Sequence, residues 1–213
     1  MSQFDYQQSY YRNLPHIQPP GATFFVTFRL AGSLPQNVIE QWQRERQWLL
    51  HVAKTKPSHH EKVKADFERV WFAKFERILD GAGVGPVWLR NKRVAAIIDE
   101  SLHYRDGKVY RLDAFSIMAN HVHAVVKPLP IVREEDHEYH ALSSIMHSLK
   151  GYTSFKCNRI LGREGEFWAH ESYDHYIRDA TERQKTIAYV LNNPLKAGYV
   201  KHWQDWKWNY CRL

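Results

Sequence analysis

The feature that most constrains the fold is a pair of strand-like segments separated by only two residues. Residues 109–118, VYRLDAFSIM, and residues 121–127, HVHAVVK, are rich in β-branched and aromatic side chains, which favour an extended backbone. Ala119 and Asn120 alone connect them. So short a connection permits only an antiparallel hairpin, because parallel strands need a crossover of a dozen or more residues. The chain is therefore expected to build a sheet around an antiparallel pair.

The order of the other elements predicts an α+β fold. Further extended segments are predicted over residues 22–30 and 166–178, after an irregular lead-in at 1–21. Pro194 and Gly198 are expected to end the last helix. Strand, helices, strand, strand, helix, strand, helix is the order of an α+β sandwich, and we expect an antiparallel sheet with the helices on one face. The helices are predicted from apolar periodicity and capping residues over 36–53, 61–79, 91–104, 141–161 and 181–193.

The length fits one domain that carries an elaboration. A chain of 213 residues can bury a single core. The two helices predicted between residues 36 and 79 are longer than a small domain needs. We therefore interpret residues 36–107 as containing a helical elaboration within one domain spanning residues 1–213. The glycine-rich stretch at 80–86, DGAGVGP, lacks the GxGxxG spacing of a phosphate-binding loop and is predicted to be an ordinary loop.

The composition favours a polyanionic partner and no membrane. The formal net charge is +7, and 8 Trp, 12 Tyr and 10 Phe supply flat rings on which unpaired bases could stack. No apolar run approaches the roughly 20 residues that span a bilayer, and the polar N-terminus lacks the apolar segment of a secretory signal. Cys157 and Cys211 cannot form a disulfide framework, so we expect a cytoplasmic protein with reduced thiols.

The most specific local pattern is the pair of histidines in the second strand of the hairpin. Side chains two positions apart on a strand point the same way, so His121 and His123 are predicted to face one side of the sheet. Two converging neutral imidazoles form most of a site for a divalent metal. The pair is weak evidence by itself, because a chain with 13 histidines places some of them two apart by chance.

A second pattern lies in the last predicted helix. Tyr189 and Asn193 are four residues apart and share a helical face, so a phenolic oxygen and an amide oxygen would stand together. The simpler interpretation is that Tyr189 is a core aromatic residue and Asn193 a C-terminal cap. Periodicity alone favours that simpler interpretation.

Three ordered segments together make a more specific pattern. The segments FSIMANHVHAVVKPL, FWAHESYDHYIRD and IAYVLNNPLKAGYV resemble the single-tyrosine HUH transposases, and more narrowly the bacterial REP-associated tyrosine transposases. The resemblance covers residues 22–30 and 109–200. The family usually has proline where this chain has Ala119, which changes the rigidity of the turn but removes no ligand. The resemblance implies a ferredoxin-like core with a central antiparallel sheet.

The resemblance also implies roles for individual residues. His121 and His123 correspond to metal ligands, and Tyr189 corresponds to the nucleophile. Asn193 occupies the position from which relatives offer a third polar ligand, often Gln. Basic residues in the other matched segments are expected to contact DNA phosphates, although a solvated basic face would look the same; they are Lys150, Lys156, Arg159 and Arg178.

The reaction implied by the resemblance is the cutting and rejoining of single-stranded DNA. It would use Mg²⁺ or Mn²⁺ and pass through a 5′-phosphotyrosine, on single-stranded DNA bearing a hairpin, in the bacterial cytoplasm near the nucleoid. The alternative is a protein that binds DNA repeat hairpins without cutting them. A histidine-triad hydrolase fits poorly because Val125 occupies the third alternate position, and no further Cys or His nearby completes a structural zinc site. The sequence leaves open a monomer or a homodimer, the DNA sequence recognised and the biological role.

Overall fold

The computed structural model describes residues 9–11, 15–55, 60–81, 83–132 and 137–212. Short 3₁₀ helices cover Trp88–Arg90 and Trp203–Asp205. The α-helices are α1 Gln36–Thr55, α2 His60–Gly81, α3 Lys92–Arg105, α4 Leu142–Leu161 and α5 Ala180–Lys196. The strands are β1 Ser9–Tyr11, β2 Pro15–Ile17, β3 Thr23–Leu30, β4 Tyr110–Ile117, β5 His121–Pro128, β6 Pro130–Val132, β7 His137–Tyr139, β8 Trp168–Ile177 and β9 Asn209–Cys211.

The central sheet has five antiparallel strands in the order β8-β3-β5-β4-β9. Helix α3 lies between β3 and β4 in the chain, and α4 lies between β5 and β8. Along the chain, β3, α3, β4, β5, α4 and β8 follow the order βαββαβ. Across the sheet, these four strands lie in the order β8, β3, β5, β4, which is the fourth, first, third and second of them. This is the ferredoxin-like arrangement, so the predicted α+β sandwich with a central antiparallel sheet is confirmed. Strand β9 adds to the β4 edge and was not predicted.

Helices cover both faces of the sheet, so the prediction that they lie on one face is wrong. Phe24, Val26 and Phe28 face the core that contains α3 and α4. Phe25 faces the opposite side, where it packs with Val190 of α5 and with Phe72 of α2. The physical reason is visible in β3, where the apolar Phe25 lies on the face opposite to Phe24, Val26 and Phe28 and also needs cover from water.

Helix α5 continues past the proline that was expected to stop it. Pro194 lies inside the helix, which ends at Lys196. Proline removes only its own N–H, and the turn continues because the Ala197 amide donates to the Asn193 carbonyl. Gly198, with φ of 71°, then provides the left-handed residue that ends the helix. The lead-in also differs from the prediction, because β1 and β2 pair within it.

Helices α1 and α2 are inserted between β3 and α3. They lie within residues 36–107, for which the sequence predicts a helical elaboration, and a single domain over 1–213 stays a prediction. Trp42 of α1 packs edge-on against Phe75 of α2, with ring centroids 5.8 Å apart. Phe72 of α2 stacks on Tyr173 of β8 at 4.2 Å, which brings α2 against the sheet face that carries α5. None of the described helices is long and apolar enough to cross a membrane.

Candidate metal and nucleophile site

The two histidines of β5 lie side by side under the helices. Strand β5 sits between β3 and β4, so both rings are fully buried on the face that α2 and α5 cover. The Nε2 atoms of His121 and His123 are 3.0 Å apart. The alternation of side chains along β5 predicts this shared face.

Neighbouring polar side chains orient the rings. The Nδ1 atom of His121 lies 2.7 Å from the Asn120 side-chain oxygen, which can only accept a hydrogen bond. His121 Nδ1 therefore carries the proton, and its Nε2 presents a lone pair to His123. The Nδ1 atom of His123 lies 2.8 Å from the Thr27 hydroxyl. Burial, with help from His123, lowers the pKa of His121 to about 3 against the opposing effect of Glu76, so this ring is neutral at physiological pH.

A carboxylate from the inserted helix α2 joins the histidines. Glu76 is buried, and its Oε2 atom lies 3.1 Å from His123 Nε2. Burial alone would raise the pKa of Glu76. The neighbouring imidazoles of His123 and His121 and the hydrogen bonds from His123 and Tyr189 outweigh burial and lower that pKa to about 2. Glu76 is therefore an anion whose second oxygen, Oε1, has no hydrogen-bond partner among the described residues.

A second carboxylate lies one turn further along α2. The Oδ1 atom of Asp80 is 3.8 Å from His121 Nε2 and has no hydrogen-bond partner within the described part of the chain. Burial and the nearby charge of Glu76 raise the pKa of Asp80 to about 6, although His123 and Lys196 oppose the rise. Both carboxylates of this helical face thus approach the histidine pair.

The predicted nucleophile lies at the same place. The Tyr189 hydroxyl donates a short hydrogen bond to Glu76 Oε2, and the ring centroids of Tyr189 and His123 are 5.8 Å apart. Burial and the charge of Glu76 raise the pKa of Tyr189 well above its ordinary value. Asn193 is fully buried one turn along α5, and its amide has no hydrogen-bond partner among the described residues. The structure thus brings Tyr189 to the histidine pair, and a ligand role for Asn193 stays a prediction.

The donor atoms fit one divalent cation. Metal–nitrogen and metal–oxygen bonds are about 2.0–2.2 Å, so neighbouring ligands on one ion lie about 3 Å apart. The 3.0 Å between the two imidazole nitrogens and the 3.1 Å to Glu76 match that spacing. One ligand atom from each of Glu76, His121 and His123 lies within 4.8 Å of the other two. Imidazole lone pairs and a carboxylate that approach this closely repel one another unless a proton lies between each pair of them. A cation at their centre removes the repulsion.

The four predicted DNA-binding residues do not form one cluster. Lys150 donates to the His170 carbonyl at 3.0 Å and to the Ser172 hydroxyl at 3.2 Å, near the start of β8. Arg178 is exposed just after the other end of β8. Lys156 and Arg159 lie further along α4, beside two exposed aromatic side chains, Tyr152 and Phe155.

Sequence reasoning missed both carboxylates. The signal was present, because Glu76 and Asp80 are four residues apart and share a face of α2. That spacing is common on solvated helices, so it has meaning only once α2 is seen to dock on the sheet. The packing of Phe72 against Phe25 and Tyr173 directs that face inward.

Comparison with known proteins finds similarity to a curated bacterial protein and to a solved structure. The chain is 28% identical over 102 residues to a Haemophilus influenzae protein named "Putative REP-associated tyrosine transposase". The match covers 45% of this chain and 56% of the relative, so the chain spans little more than half of the relative's length. The resemblance seen in the sequence segments is confirmed by this relative.

The solved structure is that of a REP-associated tyrosine transposase bound to a REP hairpin. It aligns over 94% of this chain and 81% of its own, with 18% identity and a TM-score of 0.46. No protein-family model matches the chain.

Proposed function

We propose that this protein cuts and rejoins single-stranded DNA with Tyr189 as nucleophile and a divalent metal, Mg²⁺ or Mn²⁺, bound by His121, His123 and Glu76. The observation that carries the proposal is the contact of one carboxylate, Glu76, with both the histidine pair and the Tyr189 hydroxyl. The similarity to a protein named as a tyrosine transposase supports the same activity.

The proposed ligand set suits phosphate chemistry. A divalent cation bound there would neutralise charge on a scissile phosphate and polarise it. Two imidazoles and one carboxylate leave coordination positions open, and mixed nitrogen and oxygen ligation suits Mn²⁺, with Mg²⁺ acceptable at cellular abundance. We propose Asn193, one turn beyond Tyr189 on α5, as a further oxygen ligand. Asp80 supports the site from α2, since its Oδ1 atom lies 3.8 Å from His121 Nε2.

Tyr189 must lose its proton to attack phosphorus. A phenol with an ordinary pKa of about 10 is almost entirely protonated at pH 7, and burial beside Glu76 makes ionisation harder still. The Glu76 carboxylate accepts the hydrogen bond of this hydroxyl and so orients the phenol, but with a pKa of about 2 it is too weak a base to keep the proton, which passes to solvent as attack proceeds. Its oxygen Oε2 also lies 3.1 Å from His123 Nε2, so the same carboxylate would bind the cation, and its other oxygen, Oε1, has no hydrogen-bond partner among the described residues.

The bonds made and broken balance without a nucleotide cofactor. The Tyr189 oxygen bonds to phosphorus while the bond from phosphorus to the 3′-oxygen breaks. The products are a 5′-phosphotyrosine and a 3′-oxygen that takes a proton from solvent. Because the new bond is also a phosphodiester, attack by another 3′-hydroxyl restores the DNA strand and the free tyrosine.

We propose single-stranded DNA with an adjoining hairpin as the substrate. The net charge of +7 favours a polyanion. On α4, Tyr152 and Phe155 are 45% and 59% exposed beside Lys156 and Arg159, which suits stacking on unpaired bases and contact with the backbone.

The proposal is tested by trapping the covalent intermediate. Hairpin-bearing single-stranded oligonucleotides, labelled on the 3′ side of a randomised junction, are incubated with the protein and Mn²⁺ and run on denaturing gels. We expect a protein-linked label for the wild-type chain and none for His121→Ala, His123→Ala or the wild type with EDTA. Binding of the DNA without any cleavage or adduct would support the alternative, a non-catalytic binder of repeat hairpins.

A further inference from the structure

A cavity lies beside the nucleophile site, between the inserted helices and the edge of the sheet. Its volume is about 170 Å³. Thr27 and Arg29 of β3 and Tyr173 of β8 line the sheet side, and Trp42, Phe72 and Glu76 line the helix side. Glu76 and Thr27 each contact His123, so the cavity adjoins the proposed metal site.

Arg29 gives the cavity a polar group that is largely unused. It pairs across the sheet with His121, and its side chain lines the cavity. Its one side-chain hydrogen bond to a described residue is a long one, 3.5 Å to the Ser33 hydroxyl. Burial lowers the pKa of the Arg29 guanidinium, and the charge of Glu171 opposes that shift. A guanidinium has five N–H donors, so most of those on Arg29 are available to a ligand.

The lining suits a small flat ring with hydrogen-bond acceptors at its edge. Trp42, Phe72 and Tyr173 are aromatic, and Arg29 supplies donors at one end. Pockets that enclose whole drug-sized ligands are roughly 300–1,000 Å³, so a cavity of about 170 Å³ suits a fragment, such as a single base without its sugar and phosphate. Arginine recognises bases through acceptor atoms at their edges.

We propose that this cavity holds one unpaired nucleobase of the DNA strand next to the scissile phosphate, with Arg29 hydrogen-bonded to acceptor atoms of that base. Its placement next to the cut rests on the proposed function, because the metal site defines where the phosphate lies. Extruding a base into a pocket turns its phosphate out of the stacked strand. The inserted helices would thus select the position of the cut, since their residues form one wall of the cavity.

The test uses the full chain as Tyr189→Phe, so that bound DNA stays intact, and a hairpin joined to 12 randomised single-stranded nucleotides. The bound fraction is sequenced. We expect selection for particular bases at the one position that occupies the cavity. Arg29→Met is expected to abolish selection at that position and to leave any selection at other positions unchanged. Ile39→Trp, which fills the cavity from α1 and leaves the sheet unchanged, is expected to have the same effect. Arg93→Met, an exposed arginine on α3, is the matched control and is expected to change nothing.

An abasic nucleotide at the selected position gives the energetic test. We expect it to weaken binding to the otherwise wild-type pocket about tenfold, or about 1.4 kcal/mol, and to have no further effect in Arg29→Met. If Arg29→Met and Ile39→Trp both keep the selection profile of the parent Tyr189→Phe chain, the pocket is overturned. If one position shows base selection but the wild-type protein forms no covalent adduct with DNA, the base pocket is supported and the proposed cleavage is rejected. Absence of any base selection overturns the pocket even where cleavage is observed.

Discussion

Single side chains determine the charge of the candidate site. His121 is neutral because it is buried, and the Asn120 side chain holds its proton on the nitrogen that faces away from the cluster. Glu76 is an anion that contacts His123 and accepts the Tyr189 hydrogen bond. Lone pairs and one negative charge therefore meet at one point, which is the condition that a divalent cation satisfies.

Glu76→Gln tests the third ligand. The substitution keeps the shape of the side chain but removes its charge, so we expect Mn²⁺ affinity to fall by at least about 10–100-fold, since the loss of a group that only supports a metal ligand already has an effect of that size. Isothermal titration with Mn²⁺ measures the change. Glu100→Gln, on the exposed side of α3, is the control and is expected to bind Mn²⁺ like the wild type. Equal affinity in Glu76→Gln and Glu100→Gln would exclude Glu76 as a ligand.

The sequence predicts part of this site and not the rest. The two-residue period of β5 and the four-residue period of α5 are local, so they indicate which side chains share a face without a structure. Glu76 is 45 residues from His121 in the chain, and only the docking of α2 relates them. The periodic pattern within a single strand or helix therefore cannot predict that Glu76 lies beside His121.

Among the elements, α5 is tied to the sheet by a buried carboxylate. Asp113 of β4 has a fully buried side chain that accepts from Arg183 of α5 at 2.7 Å and from Arg111 at 2.9 Å. Burial raises the pKa of Asp113, but the hydrogen bonds and charges of the two arginines outweigh burial and lower that pKa below its ordinary value. Because the folded-state pKa is lowered, the stabilisation is complete above the unfolded-state pKa and is lost as the pH falls.

Asp113→Asn is expected to reduce the free energy of unfolding by about 1–3 kcal/mol at pH 7, since both arginines are partly exposed and water screens the pair. The difference from wild type should shrink below about pH 4, where Asp113 protonates in the unfolded chain. Urea unfolding at pH 7 and pH 3.5 measures both quantities. Asp205→Asn, an exposed aspartate, serves as control. A difference that does not depend on pH would contradict the ion-pair explanation.

Helix α2 is positioned by aromatic packing, so Phe72→Ala should loosen it. Phe72 stacks on Tyr173 and meets Phe25 edge-on. We expect a loss of about 2–3 kcal/mol in unfolding free energy, less than for a fully buried phenylalanine, together with weaker Mn²⁺ binding because Glu76 is displaced. Trp48→Ala, on the exposed side of α1, should leave both values unchanged. Stability lost without any change in Mn²⁺ affinity would show that α2 does not position the site.

The elements themselves were largely predictable, and their packing was not. The hairpin and each long helix follow from patterns within a few residues, so β4, β5 and α3 lie where the sequence places them. In β3 only Phe25 indicates that the second face is buried, because the other residues of that face, Thr23, Thr27 and Arg29, are polar. The three-residue strand β9 is too short to show a period, and its position depends on pairing with β4.

At the scale of the whole molecule, the candidate site and a basic surface lie on different faces of the sheet. Lys156 and Arg159 lie on α4, on the opposite face of the sheet from the histidine pair. A substrate that reaches both surfaces must extend around the sheet, as a hairpin with a single-stranded tail can do. Phosphate contacts of this kind release counterions, which makes binding depend on salt.

Lys156→Ala tests the basic surface. If this lysine contacts a phosphate, the slope of log binding constant against log salt concentration should become shallower by about 1, while adduct formation at saturating DNA stays unchanged. Fluorescence anisotropy across a salt series measures the slope. Lys92→Ala, an exposed lysine at the start of α3, is the control. An unchanged slope would assign Lys156 to a solvated face.

The most direct measurement of the central claim is the identity of the residue that becomes joined to DNA. The adduct is treated with nuclease and trypsin, and the peptide TIAYVLNNPLK, residues 186–196, is sequenced by mass spectrometry. We predict a phosphodiester-linked nucleotide on Tyr189, formed only with the divalent metal present. Attachment at another tyrosine, or an adduct that persists in Tyr189→Phe, would contradict the account.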